Sequence, residues 1–233
     1  MAVDDLVGAG RADTPARGSG GLAGVSVVRR GEERGAAAAI AAGHADYPSF
    51  RHLFGDTRRR ARALRPFFEA TVRDAVPYGS VLTSWQGVRA EATAVWLPPG
   101  AFPWTARRKL RALPNVSRVM TADPCAFPAF VRYGKIVERH HRDEPHWYLV
   151  ALSVRPERQR RGLGRRLLEP ILERADRDGL PCWLETADPT NVGYYERFGF
   201  EVFGDPLAVI RDGPELIAMR RLPARVGFGH RCA

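Results

Sequence analysis

The stretch RPERQRRGLGRRLLEPILERA, Arg155 to Ala175, decides how the chain is read. Arg155, Arg158, Arg160, Arg161, Arg165 and Arg166 crowd around Gly162 and Gly164, where the β-rich run HWYLVALSV (146–154) gives way to a helical pattern. A helix start offers unpaired N–H groups and the positive end of the helix dipole. Glycine there lets an anion approach the main chain, and arginine adds charge and bidentate hydrogen bonds. The stretch is read as a strand–loop–helix that holds a pyrophosphate. A Walker A loop would need GxxxxGK[ST], which the chain lacks, and a dinucleotide loop would need a third glycine where Leu167 stands.

Outward from that loop the pattern is mixed. GVSVVRR (24–30) reads as a first strand, EERGAAAAIAAGHA (32–45) and 56–76 as helices, and GSVLTSWQG with RAEATAVWLPPG as a strand–turn–strand pair around Gly87. Helical segments punctuated by Pro103, Pro114, Pro124 and Pro128 fill 101–145. After the central helix, which runs to about Arg177, come a strand at LPCWLETA (180–187), a short helix at NVGYYERFG and two final strands. The order β α α β β, helices, β α β α β β predicts one mixed α/β domain around a strand–loop–helix–strand crossover. Residues 1–24, rich in Gly and Ala without periodicity, are expected to be a disordered tail, with the domain over 25–223 and a second tail over 224–233.

Composition narrows the class. The 233 residues are 45% hydrophobic and 27% charged, as in ordinary globular proteins. There is no apolar run of about 18 residues and no signal-peptide core, so a cytoplasmic protein without a membrane partner is expected. The net charge of +10 raises nucleic acid as a partner. Lys109 and Lys135 are the only lysines, however, and the arginines are scattered, so the charge reads as a solvated surface and no nucleic-acid partner is expected. Cys125, Cys182 and Cys232 form no CxxC pair, no HExxH occurs, and no metal is expected.

The residues around the two glycines add a resemblance. Val154, Pro156, Gln159, Gly162 and Gly164 fit V-x-P-x-x-[QR]-x-x-G-x-[GA], and the loop resembles the acetyl-CoA loop of the GNAT superfamily of N-acetyltransferases. Downstream, Asn191 stands four residues before Tyr195, followed by Glu196, Gly199 and Phe200, which is similar to that family's second signature. Residues 79–222 carry the likeness well and the first third only in outline. Trp147-Tyr148-Leu149, Pro170, Leu184-Glu185-Thr186, Gly213-Pro214 and Met219-x-Arg221 further resemble puromycin N-acetyltransferase and related antibiotic-modifying members. The resemblance implies an α/β (α+β) fold with a central mixed, mostly antiparallel sheet flanked by helices. A splayed parallel strand pair would bind acetyl-CoA as co-substrate. It implies direct transfer of acetyl to a small-molecule amine in a ternary complex, by a monomer or homodimer. A protein N-acetyltransferase and an inactive acyl-CoA-binding regulatory domain are the alternatives.

Residue roles follow by the same likeness. Acetyl-CoA is expected on Leu152, Ser153, Val154, Gln159, Arg160, Arg161, Gly162, Leu163, Gly164, Arg165, Asn191 and Tyr195. A bulge in the strand before the loop would splay the pair, with Val154 as main-chain donor to the acetyl carbonyl. Asn191 and Tyr195 share a helix face; Tyr195 is the expected acid for the departing thiolate, with Tyr194 the other choice. Glu185 is the candidate base or ammonium anchor, ahead of His146, Glu138 and Glu91. Trp96, Trp147 and His146 are candidates for contact with the acceptor amine.

Overall fold

The computed structural model describes residues 24–224; the two tails expected from composition lie outside the described residues apart from Gly24 and Ala224. A seven-stranded sheet runs in the order β1-β2-β3-β4-β5-β7-β6. Its strands are Val25–Val27 (β1), Val81–Gln86 (β2), Arg89–Leu97 (β3), Trp147–Val154 (β4), Cys182–Thr186 (β5), Glu201–Val202 (β6) and Ile217–Arg221 (β7). All neighbours are antiparallel except β4 and β5. The helices are Glu33–Gly43 (α1), Pro48–Leu53 (α2), Thr57–Ala75 (α3), Ala106–Ala122 (α4), Phe127–His140 (α5), Leu163–Asp178 (α6) and Val192–Glu196 (α7). A mostly antiparallel sheet flanked by helices, with one parallel strand pair, is what the sequence led us to expect.

Strand alternation sorts the core into two layers. On one face Val81, Val95, Leu97, Tyr148 and Trp183 pack with α1, α2 and α3. On the other Leu82, Ala92, Ala94, Trp96, Trp147, Leu149 and Leu184 pack against the Leu167, Leu168, Ile171 and Leu172 stripe of α6. That stripe repeats at helical spacing, which is why α6 lies flat on the sheet. Asp176 near its end makes a bidentate pair with Arg221 of β7 at 2.6 and 2.7 Å, tying α6 to the sheet's far edge.

Two features place the site. β4 and β5 pair from Trp147↔Cys182 to Leu149↔Leu184, and the last five residues of β4 have no β5 partner. The register between β3 and β4 also slips, Val95 facing Ala151 and Trp96 facing Leu149, which leaves Val150 as a bulge. The gap the sequence predicted beside β4 is present, but the bulge sits four residues before Val154. α4 passes through Pro114 where the sequence suggested a break. Asn115, buried, donates to the Pro66 carbonyl and ties α4 to α3. α2, not anticipated, begins at Pro48 in the first turn, where a missing N–H costs nothing.

Candidate active site

A cavity of about 890 Å³ runs from the loop after β4, through the gap between β4 and β5, into a chamber under α1, α2, α3 and α5. The loop end is built from main chain. Arg160 and Gly162 both adopt left-handed backbone, with φ of 60° and 75°. Space is open where a Cβ on Gly162 would stand, and α6 begins at the next residue. The left-handed backbone favours glycine at 162, and its missing side chain leaves the space before the helix start open. Gly164 has a different reason: a Cβ there would come within 2.4 Å of the Tyr194 hydroxyl, which α7 presses onto the first turn of α6.

Gln159, Arg160, Leu163 and Arg165 line this end with the two glycines. Arg160 has no charged partner among the described residues, whereas Arg165 is paired with Glu169 at 2.5 Å. Arg158 also faces the cavity but pairs with Glu91 at 2.6 Å. Arg161 is exposed and does not line the cavity, so the structure separates it from the loop residues grouped with it from sequence.

Along the gap, β4 presents its free edge. Arg155 N–H donates to the Glu91 carbonyl at 2.9 Å, which fixes the alternation of the antiparallel ladder. The Ser153 amide then faces β3, and the amides of Leu152 and Val154 face the gap. The Ser153 side chain turns away, its hydroxyl 3.3 Å from the Ala39 and Ile40 carbonyls of α1. Gly43 lies against that hydroxyl so closely that no Cβ fits. The Ser153 hydroxyl is thus turned to α1 and its amide to β3, which leaves the Leu152 and Val154 amides for the gap. Asn191 and Tyr195 border the gap from α7 and the turn before it; the Asn191 amide donates to Thr186 Oγ1 at 3.3 Å. Burial drives the Tyr195 phenol far above its usual value, so it is protonated at any working pH.

Beyond the gap lies the chamber. Phe50, Phe67, Phe68 and Phe130 form a network of edge-on rings, with Phe67 and Phe130 at 88° and 5.1 Å. Tyr47, Tyr133 and Tyr148 add hydroxyls. Glu185 sits in this wall, enclosed by protein and reached only from cavities, and accepts from the Tyr148 hydroxyl at 2.7 Å. Burial lifts its carboxyl to about 7, against the pull of the Tyr148 hydrogen bond. His44 donates Nδ1–H to the Ile40 carbonyl at 3.1 Å, and burial lowers its imidazole to about 4, so it stands neutral. Of the four other carboxylates on the cavity wall, Asp74 is paired with Arg108, Asp46 with Arg60 and Glu138 with Lys109, while Asp188 accepts from the Thr190 amide and hydroxyl.

Three acceptor candidates lie elsewhere. Trp96 and Trp147 are fully buried against α6, on the opposite face of the sheet, and neither borders the cavity. Odd and even positions of β4 point to opposite faces before the bulge, so Tyr148 enters the chamber and Trp147 cannot. His146 borders a second, smaller cavity behind Glu185. The residues missed from sequence, His44, Tyr47, Phe50 and Tyr133, belong to the α1–α2 connection, α2 and α5; Tyr148 was legible only through strand alternation relative to Glu185.

Comparison with known proteins agrees with this architecture. Residues 111–200 match the family model described as the acetyltransferase (GNAT) family. Over 75 residues the chain is 39% identical to an uncharacterized N-acetyltransferase of Schizosaccharomyces pombe, a stretch covering 32% of this chain and 30% of that protein. The chain thus spans less than a third of that relative's length. Among solved structures, a histone acetyltransferase HPA2 and related acetyltransferase from Corynebacterium glutamicum superposes with a TM-score of 0.61 at 20% identity, over 86% of this chain and 96% of that one. A polyamine N-acetyltransferase of Drosophila melanogaster, which forms N-acetylagmatine, gives 0.55 at 18% identity over 85% and 98%. Arylalkylamine N-acetyltransferase 2 of Aedes aegypti gives 0.55 at 12% over 86% and 98%. The family match covers the segment from α4 to the start of β6, and the solved structures share the fold. Among the described residues no cluster of potential metal ligands occurs, and no helix is long and apolar enough to cross a membrane.

Proposed function

We propose that the protein transfers acetyl from acetyl-CoA to the amine of a small molecule with an aromatic or apolar body. The observation that carries this reading is Glu185: a carboxylate in an aromatic chamber, without a cation among the described residues, at the end of a gap that leads from a phosphate-holding loop. The site fits acetyl-CoA in that Gly162 leaves clearance at an anion-binding helix start, and the β4 edge offers two amides beside it. When bound, acetyl-CoA supplies an activated acetyl thioester.

The chain's own groups divide the work. Arg160, Gln159 and the first amides of α6 hold phosphate; Leu152, Val154 and Asn191 receive the pantetheine arm, and a β4 amide polarises the carbonyl. Glu185, with a carboxyl near 7, is matched to taking a proton from an ammonium at neutral pH. Tyr195 holds a proton for the departing sulfur. Asp46, Asp74 and Glu138 already have basic partners, so Glu185 and Asp188 are the wall carboxylates left to meet an ammonium. Kinship with the puromycin-modifying subgroup is part of the same proposal and rests on the sequence likeness alone.

The test is thiol release from acetyl-CoA across a panel of aromatic monoamines, aliphatic polyamines and peptide amines. Highest kcat/KM is expected for an aromatic amine. Efficient acetylation of a peptide amine with a silent small-amine panel would overturn the reading.

A further inference from the structure

Acetylation of an alkylammonium forms an N–C bond, breaks a C–S bond and removes two protons from nitrogen. One ends on sulfur and the other must reach solvent. If Glu185 takes that second proton, as the function proposed above requires, it must discharge it each turnover. Two bound substrates would occupy the main cavity from its two ends and close that route, while Glu185 also borders a second cavity.

Behind Glu185 lies a second cavity of about 150 Å³. It shares with the main cavity only Glu185 and Leu216 of its wall. Strand alternation puts His146 and Tyr148 on one face of β4, and Trp183 and Glu185 on the same face of β5. The His141 ring lies 4.7 Å from that of His146 and 4.8 Å from that of Tyr148, the hydroxyl donor to Glu185. His146 is buried, whereas His141 is partly open to solvent. His146 Nδ1 faces the Glu144 carbonyl at 2.6 Å; a carbonyl can only accept, so Nδ1 carries the proton and Nε2 is left as an acceptor.

We propose that this small cavity is the proton outlet of the site, with the His146 and His141 imidazoles carrying protons from Glu185 to solvent. The groups around them suit passage over storage. Arg142 stacks on Trp183 and Phe203 at the cavity's rim, Asp205 lines it from the β6–β7 side, and Phe102 covers His141 at 4.5 Å. Burial and the neighbouring His146 lower His141 to about 4, and burial lowers His146 despite the Glu144 carbonyl and charge. Neither ring traps a proton at neutral pH.

Two measurements decide it. In His141→Gln and His146→Gln, which keep a hydrogen-bonding side chain but cannot titrate, thiol release in the first turnover should match wild type. Steady-state kcat should fall on the order of 10-fold, less than for a group that touches substrate, with KM for the amine within about twofold. Small imidazole buffers should restore the rate. A wild-type steady state in both variants, or a loss confined to KM, overturns the outlet. Separately, in the ligand-free protein, nuclear magnetic resonance titration should show the imidazoles shifting when Glu185 is changed to Gln. Unchanged titration overturns the proposal even if the acceptor turns out to be something else. Absence of any acetylation by wild type would instead sink the functional reading.

Discussion

At the residue scale, the acid and base roles proposed for Tyr195 and Glu185 would be set by environment. Both are enclosed, and enclosure favours the neutral form of each. For a phenol that secures a proton donor; for a carboxyl it brings the titration near 7, where a base is useful. Tyr195→Phe removes one hydroxyl and little packing, so turnover should fall on the order of 10²–10⁴-fold with coenzyme A affinity unchanged by calorimetry. A change within about threefold would give the acid role to another group. From sequence, the spacing to Asn191 and to Gly199-Phe200 singles out Tyr195, and in the structure both Tyr194 and Tyr195 border the cavity. The second role of Gly164 was not legible in the sequence: a glycine in a loop motif does not announce that a tyrosine 30 positions later occupies its missing side chain.

At the element scale, the loop and α6 were legible and the chamber was not. Strand, glycines and helix follow each other locally, so their contacts are written in adjacent residues. The chamber is assembled from α1, α2, α3 and α5, and nothing local in YPSFRHL says which rings it will meet. Gly162→Asp should abolish coenzyme A binding in calorimetry while circular dichroism stays native. Aspartate tolerates the left-handed backbone better than most residues but sets a carboxylate where phosphate is expected. Retained affinity would place the phosphates elsewhere. Trp96 gives the complementary case. Trp96→Ala should cost about 3–5 kcal/mol of stability in denaturant unfolding, as for other buried aromatics. The surviving folded fraction should keep its acceptor KM, since the ring lies on the other side of the sheet. A selective rise in KM without loss of stability would return Trp96 to the acceptor site.

At the scale of the whole molecule, buried titratable groups set the response to pH. His44 and His141 have folded values near 4, below the unfolded value of 6.5. As pH falls from 6.5 toward 4 the unfolded chain takes up these protons and the folded one does not, so stability drops through that window. Glu185 works the other way. Its folded value near 7 exceeds the unfolded 4.5, so it favours folding increasingly as pH falls from 7 to 4.5. Glu185→Gln should therefore raise the melting temperature at pH 8 and make the fall between pH 6.5 and 4.5 steeper. Parallel melting curves of mutant and wild type across that range would mean that Glu185 is not enclosed as described. Net charge was readable from composition, but these compensating terms arise only once the chamber closes.

The bulge at Val150 makes β4 a strand read in two frames. Before it Tyr148 faces the chamber; after it Ala151 and Ser153 take that face, while Leu152 and Val154 turn to α6. The tight seat of Gly43 on Ser153 depends on that switch. Side chains along β4 can be exchanged one at a time, but chain length on either side of the bulge cannot. Deleting Val150 itself would remove only the bulge and leave each later residue on its face, whereas a residue lost or gained on either side of it would invert every position from there to the loop before α6. In lineages that share this strand, variation outside the bulge is expected as replacement and not as insertion or loss.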